Sequence, residues 1–335
     1  MNNALIHSKN TKIGKPNAQT LKNKANPPFL LDTLAQLDQM LKFGGDEGLL
    51  KLKKRSLSKY YTNEVLFPLI DLKNEREQAY WNTFHCVNVL TQDQKGKVTS
   101  RYCKRRWCIV CNRIRTGILI NTYLPEIQNW KDPHFVTLTT SLTKICTNEV
   151  ILKETIKRYQ TTFGNIWRRL KRNFGTIRAI KKVEITYNVE KGHYHPHFHL
   201  IIDAPKDVCN FLVNEWVSSF DGAEVWANDV RKADENSVKE LFKYFTKMWK
   251  RIENEGTENE KRVLPYPPEI MDCIFSVMDK KRVFQTYGQR IQIDEDFEPE
   301  QASVFLNEER FEETFWIWFQ DQKTWINTLS GELRT

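Results

Sequence analysis

Apolar positions in the middle of the chain alternate between strand spacing and helix spacing, and their order predicts an α+β domain. Runs rich in β-branched and aromatic residues are typical of strands, whereas apolar residues three and four positions apart are typical of amphipathic helices. These patterns predict strands over 135–139, 177–187, 195–203 and 223–230, and helices over 149–173, 205–219 and 237–251. That order predicts an antiparallel sheet with helices packed on one face.

The two ends of the chain differ from this middle part. Scattered lysines among Asn, Thr and Pro predict a disordered basic arm at the start, and leucines at helical spacing then predict a helical segment. Apolar and acidic residues also follow helical spacing from Phe305 to Trp325, so we expect a helical, acidic and aromatic C-terminal tail. We expect this tail to pack onto the basic body, with a homodimer contact or binding of another protein as the alternatives. The predicted segments are 1–27 (basic arm), 28–79 (helical segment), 80–131 (cysteine module), 132–252 (central α+β domain), 253–265 (linker) and 266–335 (C-terminal segment).

Charge is unevenly distributed along the chain. The formal net charge is +9, but the residues from 291 onward carry three Lys/Arg and eleven Asp/Glu. The preceding 290 residues therefore carry +17, which favours a polyanionic partner, most simply a nucleic acid. The sequence contains no apolar run of the ~20 residues that a membrane span needs. We expect no membrane association and, since the seven cysteines are clustered, a reducing cytoplasmic location.

The sequence His-Pro-His-Phe-His at 195–199 precedes an apolar run and is the clearest candidate for a metal site. Alternate residues of a strand share one face, so these imidazoles can point the same way. Glu184 lies on the preceding predicted strand and is the expected third ligand beside His197 and His199. Two imidazoles and a carboxylate suit Mg²⁺ or Mn²⁺ when phosphate oxygens complete the coordination. His195 is an alternative ligand or a phosphate contact, and a histidine cluster without a role is the competing interpretation.

A second candidate site lies on the predicted helix at 237–251. Glu240, Tyr244 and Lys247 are spaced four and three residues apart, which places them on one helix face. A tyrosine becomes a useful nucleophile when a metal polarises the electrophile and a cation stabilises the phenolate. An exposed ion-pair face is the alternative interpretation of this spacing.

A third candidate is the cysteine cluster Cys103, Cys108 and Cys111, with Cys86 or His85 as the fourth ligand. A two-residue spacer is common in tetrahedral Zn²⁺ sites, although reduced cysteines without a metal are the alternative. Basic side chains near this cluster are expected to contact DNA phosphates. The same is expected of basic side chains on the helix at 149–173, although a solvated helix face is the alternative interpretation there. The predicted DNA-binding residues are Arg105, Arg106, Arg113, Arg168, Arg169, Lys171 and Arg172.

Taken in order, the strand at 135–139, the histidine motif at 195–199 and the segment Lys243–Lys247 resemble the three motifs of HUH endonucleases. More narrowly, they resemble the rolling-circle replication initiator (Rep) proteins of small bacterial plasmids, over roughly residues 84–290. The resemblance implies a ferredoxin/RRM-like antiparallel sheet in which His197, His199 and Glu184 hold Mg²⁺ or Mn²⁺. It also implies a bacterial cytoplasmic protein that acts on the plasmid double-strand origin and its single-stranded DNA.

The same resemblance implies the chemistry. Tyr244 would attack the scissile phosphate, forming a 5′-phosphotyrosine and a free 3′-OH that primes a host polymerase. Glu240 would activate water at termination, and Lys247 would stabilise the phenolate or the phosphate. The sequence carries no Gly-x-x-x-x-Gly-Lys-Ser/Thr loop, so we expect a host helicase as partner.

Three other functions compete with this prediction. The first is a single-tyrosine HUH transposase or mobilisation relaxase, although relaxases typically place the tyrosine near the N-terminus. The second is a non-catalytic zinc DNA-binding regulator, which would not depend on Tyr244. The third is an RNA-binding module, which would need exposed aromatic residues where this chain has histidines.

Overall fold

The computed structural model describes residues 47–92, 98–140, 145–221, 223–242, 249–252, 262–288, 314–327 and 333–334. The predicted basic arm at 1–27 lies outside these residues, as does most of the predicted linker at 253–265. The helices are α1 (Glu47–Asp71), α2 (Glu77–Phe84), α3 (Ile109–Gln128), α4 (Glu149–Phe174), α5 (Lys206–Ser218), α6 (Glu235–Phe242) and α7 (Pro268–Met278). The strands are β1 (Val89–Gln92), β2 (Val98–Ser100), β3 (Pro133–Leu138), β4 (Arg178–Asn188), β5 (His193–Asp203), β6 (Asp229–Lys232), β7 (Trp249–Ile252), β8 (Arg262–Pro265), β9 (Phe284–Tyr287), β10 (Thr314–Phe319), β11 (Thr324–Asn327) and β12 (Leu333–Arg334).

The two longest strands, β4 and β5, are paired inside an antiparallel sheet of order β6-β3-β5-β4-β9. Asn188 closes the turn between them, because its side-chain oxygen accepts hydrogen bonds from the backbone N–H groups of Glu190 (3.1 Å) and Lys191 (3.0 Å). Gly192 follows with a φ of +66°, a conformation that favours glycine. The strands predicted at 135–139, 177–187 and 195–203 are therefore confirmed, together with the pairing of the last two.

Helices cover both faces of this sheet, so the prediction of helices on one face is wrong. On one face, α4, α5 and α7 pack against alternate residues of the central strands, with Phe198 and Trp216 in the same buried cluster. On the other face, α3 and α6 cover the part of the sheet around Ile180 and Ile201. The reason is that the central strands carry apolar side chains on both faces around Ile180 and Ile201, which is typical of strands buried on two sides.

Two predicted elements differ in the structure. The strand expected at 223–230 begins only at Asp229, and Val225–Ala227 form a 3₁₀ turn in front of it. The helix expected at 237–251 begins at Glu235 and is described to Phe242, but Trp249–Ile252 form a strand that pairs with β8. Tryptophan and isoleucine favour strands, and the cross-strand pairing outweighs the helical spacing here.

The C-terminal tail contains strands, which corrects the prediction of a helix from Phe305 to Trp325 in its described part. β10 and β11 form an antiparallel hairpin that joins the sheet of order β12-β11-β10-β1-β2. The same residues also fit the two-residue period of a strand, and this period places Trp318 and Trp325 in the core. Trp325 is fully buried, so the expected packing onto the rest of the chain is confirmed for this hairpin.

Within the described residues, no helix combines the length and the apolar character needed to cross a membrane.

Candidate functional site

Three of the predicted metal ligands meet on the face of the sheet that α3 and α6 partly cover. The register pairs Glu184 with His197 and Lys182 with His199, so these side chains project from one face. Glu184 Oε2 lies 3.5 Å from His199 Nε2 and 4.0 Å from His197 Nε2. Ligand nitrogens and oxygens about 2.1 Å from one cation lie roughly 3–3.5 Å apart, so a divalent cation fits this group with a small inward movement.

Hydrogen bonds determine which ring nitrogens face the site. His197 Nδ1–H donates to the backbone carbonyl oxygen of His195 at 3.1 Å, and His199 Nδ1 is hydrogen-bonded to Thr137 Oγ1 at 3.2 Å. Both Nε2 atoms are therefore directed toward Glu184. Partners of this kind fix the tautomer and orientation of metal-binding imidazoles.

The electrostatics of the group also suit a cation. Burial alone would raise the pKa of Glu184, but Lys182 and the two imidazoles outweigh it, so the pKa of this carboxyl is lowered. Burial, with a contribution from His197, lowers the pKa of His199 to about 3. At neutral pH the site therefore contains an ionised carboxylate and a neutral imidazole, which are the forms that bind a metal.

His195, the alternative third ligand, is directed elsewhere. Its Nε2 lies 3.1 Å from Thr139 Oγ1, and it is not part of the group formed by Glu184, His197 and His199. Burial, followed by the charges of His197 and His193, lowers its pKa to about 4. His195 therefore borders the metal-binding group, and its backbone carbonyl orients His197.

Lys182 is a site residue that sequence reasoning missed. Its side chain is fully buried, and its Nζ donates to Glu184 Oε2 at 2.7 Å and to the backbone carbonyl oxygen of Glu240 at 3.3 Å. The available signal was its position two residues before Glu184 in a strand whose neighbours are largely apolar.

Of the predicted group Glu240, Tyr244 and Lys247, the first residue lies beside this site, because its backbone carbonyl contacts Lys182. Glu240 lies in the last turn of the described part of α6, and Phe242 stacks on Tyr123 of α3 with ring centroids 5.2 Å apart. Tyr244 and Lys247 lie outside the described residues, so their predicted position on one face with Glu240 stays a prediction.

The four cysteines form a second group that could hold a metal. The Sγ atom of Cys111 lies 3.6 Å from that of Cys86 and 3.7 Å from that of Cys103, and Cys108 Sγ lies 3.7 Å from Cys86 Sγ. Cys86 follows α2, whereas Cys108 and Cys111 lie at the start of α3. His85 Nδ1 is hydrogen-bonded to Asn88 at 3.2 Å, so Cys86 rather than His85 completes the group.

The surroundings lower the pKa of Cys103 and raise those of Cys108 and Cys111, so they favour a thiolate at Cys103 alone among these three. Hydrogen bonds from Cys108, Cys111 and Cys86 lower the pKa of Cys103, whereas burial raises the pKa of Cys108. Lys59 is buried close by, and its ammonium donates to the carbonyl oxygen of Phe84. Burial lowers the pKa of Lys59 to about 8, while all four cysteines oppose that shift.

The predicted DNA-binding residues fall into two separate places. Near the cysteines, Arg105 is exposed, Arg106 donates to the carbonyl oxygen of Lys281, and Arg113 donates to Ser58 Oγ at 2.8 Å. The predicted DNA-binding residues of α4 lie on the other side of the sheet, because α4 covers the face opposite the histidines. Of these, Arg169 pairs with Glu215 at 2.7 Å and Arg168 donates to Asn165 at 2.6 Å, whereas Lys171 and Arg172 are exposed.

Comparison with known proteins gives a consistent result. The model of a family described as "Replication protein" matches residues 95–315, which is more than half of the chain. "Protein rep" of Staphylococcus aureus is 28% identical over 164 residues, covering 45% of this chain and 71% of the relative. "Protein rep" of Streptococcus pneumoniae serotype 2 (strain D39 / NCTC 7466) is 25% identical over 154 residues, covering 42% of this chain and 47% of the relative. No solved structure shows a significant match.

Proposed function

Because the chain belongs to the family of replication proteins, as its resemblance to plasmid replication initiators predicted, we propose that it starts rolling-circle replication by nicking and rejoining single-stranded origin DNA. The observation that carries this proposal is the group formed by Glu184, His197 and His199, in which hydrogen bonds direct both histidine Nε2 atoms toward one carboxylate. A regulator that only binds DNA has no need for such a group.

Glu184, His197 and His199 would hold a Mg²⁺ or Mn²⁺ ion, since imidazole and carboxylate with open positions suit these metals in phosphate chemistry. Such an ion would supply charge stabilisation at the scissile phosphate when bound. Lys182 keeps the carboxylate of Glu184 ionised inside the sheet, because an opposite charge nearby favours the charged form.

We propose Tyr244 as the nucleophile. Its phenolic oxygen would form a bond to phosphorus while the bond to the 3′ oxygen of the preceding nucleotide breaks, and that oxygen takes a proton to become a free 3′-OH. The placement of Glu240 supports this role, because its backbone carbonyl contacts Lys182 at the metal-binding group. Four residues of chain span at most about 14 Å, so the chain length from Glu240 would allow Tyr244 to reach the same group.

Glu240 and Lys247 would serve the remaining steps. The carboxylate of Glu240 would remove a proton from water as it attacks the phosphodiester of the second cleavage, which ends a round without a new phosphotyrosine. Lys247 would stabilise the phenolate or the phosphate through its positive charge. The free 3′-OH is the primer that a host polymerase extends, and a host helicase would separate the strands.

The cysteine group supports a structural Zn²⁺ site as part of this proposal. Four thiols with sulfur atoms within 4.8 Å of one another match the Cys₄ donor set of structural zinc. The exposed Arg105 beside this group would contact origin duplex, and so would Lys171 and Arg172 on α4. Because α4 lies on the sheet face opposite the histidines, the duplex contacts and the scissile strand would lie at separate places.

A nicking assay tests the proposal. A single-stranded oligonucleotide from the candidate origin beside the gene, labelled at its 3′ end, is incubated with the protein and Mg²⁺, Mn²⁺ or EDTA. We expect the label to become attached to protein only with metal, because the 5′-phosphotyrosine retains the 3′ part of the strand.

The matched variants are Tyr244→Phe, which should form no adduct, and Tyr266→Phe, which removes a hydroxyl from a buried tyrosine of the core. Tight DNA binding by the wild-type protein without any adduct would instead favour the zinc DNA-binding regulator.

A further inference from the structure

Two consecutive lysines of β4 are buried on opposite faces of the sheet. Lys181 is 3% exposed and lies among aromatic rings, with its Nζ 4.3 Å from the ring centroid of Phe163 and 4.5 Å from that of Phe198. Lys182 is fully buried on the histidine face. Buried ammonium groups are rare unless they are paired, so each position needs a physical reason.

Lys182 joins two elements of the proposed active site. Its Nζ donates to the side chain of Glu184, a proposed metal ligand, and to the main chain of Glu240, in the helix that leads to Tyr244. The first contact holds the carboxylate on the face shared with the histidines. The second contact connects α6 to β4 at the level of the metal-binding group.

The contact with Glu240 is made to a backbone oxygen, so it acts on the position of the helix and not on the chemistry of the Glu240 side chain. A backbone carbonyl oxygen carries partial negative charge and two lone pairs, so it is a favourable partner for an ammonium group. One buried cation therefore satisfies both a carboxylate and a helix carbonyl.

We propose that Lys182 is a positioning residue for strand nicking: it connects Glu184, a proposed metal ligand, to α6 and so fixes the position of this helix relative to the metal-binding group. This inference rests on the proposed function. It predicts that loss of the ammonium group slows the reaction itself, whereas binding of the oligonucleotide is retained, because the Lys182 side chain is fully buried.

The neighbouring lysine supplies a matched control. Lys182→Met removes the ammonium group but keeps most of the side-chain volume, and Lys181→Met makes the same change one residue away on the opposite face. Both proteins are compared with wild type by thermal unfolding, by hydrogen–deuterium exchange without metal, and by nicking at saturating Mn²⁺. Lys182→Gln, which keeps a neutral donor on a shorter side chain, is the second variant if Lys182→Met does not fold.

In metal-free exchange, we expect Lys182→Met to speed exchange of the amides in 235–242, whereas Lys181→Met should not speed it. In nicking, we expect kcat to fall about 10–100-fold in Lys182→Met with the KM for the oligonucleotide within about threefold, since loss of a group that holds a metal ligand in place has effects of this size. In a Glu184→Gln background, Lys182→Met should lower kcat by a smaller factor, because the effects of residues that act through one another are not additive.

Unchanged exchange over 235–242 in Lys182→Met, or a loss of nicking no greater than that of Lys181→Met, would overturn the proposal. If wild-type protein forms no adduct at all, the proposed function fails, and the exchange result still decides whether Lys182 holds α6.

Discussion

The buried ammonium group of Lys181 should lower the free energy of unfolding at neutral pH. Burial lowers the pKa of this lysine to about 8, from an ordinary value of 10.5. The folded protein therefore binds the proton less tightly than the unfolded chain does, and each pKa unit corresponds to about 1.4 kcal/mol. At pH 7 the protonated lysine should lower the free energy of unfolding by roughly 3 kcal/mol, and this penalty should disappear as the pH rises from 8 to 10.5.

The aromatic rings around Lys181 reduce that figure. Cation–π contacts contribute about 0.5–2 kcal/mol in favour of the ammonium group, so we expect a net penalty of about 1–3 kcal/mol at pH 7. Lys181→Met should then unfold at higher urea concentration than wild type at pH 7, and the difference should shrink by pH 10.

Urea denaturation of both proteins at pH 7, 8, 9 and 10 measures this difference directly. The comparison isolates Lys181, because every other titrating group, including Lys59 and the cysteines, is common to the two proteins. A free energy difference that stays constant over this pH range, or a Lys181→Met protein less stable than wild type at pH 7, would show that the buried ammonium group does not destabilise the fold.

Three further predictions concern the site. Glu184→Gln removes the charged ligand, so the Mn²⁺ concentration for half-maximal nicking should rise at least about tenfold; an unchanged metal dependence would contradict Glu184 as a ligand. Cys108→Ser removes one of four buried thiols, so metal analysis should find about one Zn²⁺ per chain in wild type and none in the variant, and equal zinc in both would exclude the cysteine group. Glu240→Gln should form the first adduct normally but release DNA at least about tenfold more slowly, because it cannot activate water. The control is Glu235→Gln, a change at an exposed residue of the same helix, which should behave as wild type. Normal release by Glu240→Gln would mean that another group activates the water.

The central sheet and its histidine group were largely predictable from the sequence. A strand has a period of two, so alternate histidines must share a face, and a short turn forces the preceding strand to pair beside them. These two constraints place Glu184 opposite His197, as the register shows. Local pattern was sufficient because both strands and the turn lie within 26 consecutive residues.

The C-terminal hairpin was not predictable in the same way. The segment containing Trp318 and Trp325 fits both helical and strand periods, and its pairing partner β1 lies more than 220 residues earlier in the chain. Strand preference depends on such partners more than helix preference does, so a local pattern could not choose between the two.

Lys182 was missed for a related reason. A lysine in a strand normally indicates an exposed edge or face, and only the position of α6 over the sheet shows that this one is buried. Its partner Glu240 is 58 residues away, beyond any local spacing rule.

The most direct test of the proposed mechanism is to identify the residue that carries DNA after cleavage. Protein incubated with the origin oligonucleotide and Mn²⁺ is digested with a protease and a nuclease, and the modified peptide is located by mass spectrometry. The proposed mechanism predicts a nucleotide linked through phosphate to Tyr244, and none when EDTA replaces the metal. A modification on another tyrosine, or cleaved DNA without any linked peptide, would contradict it.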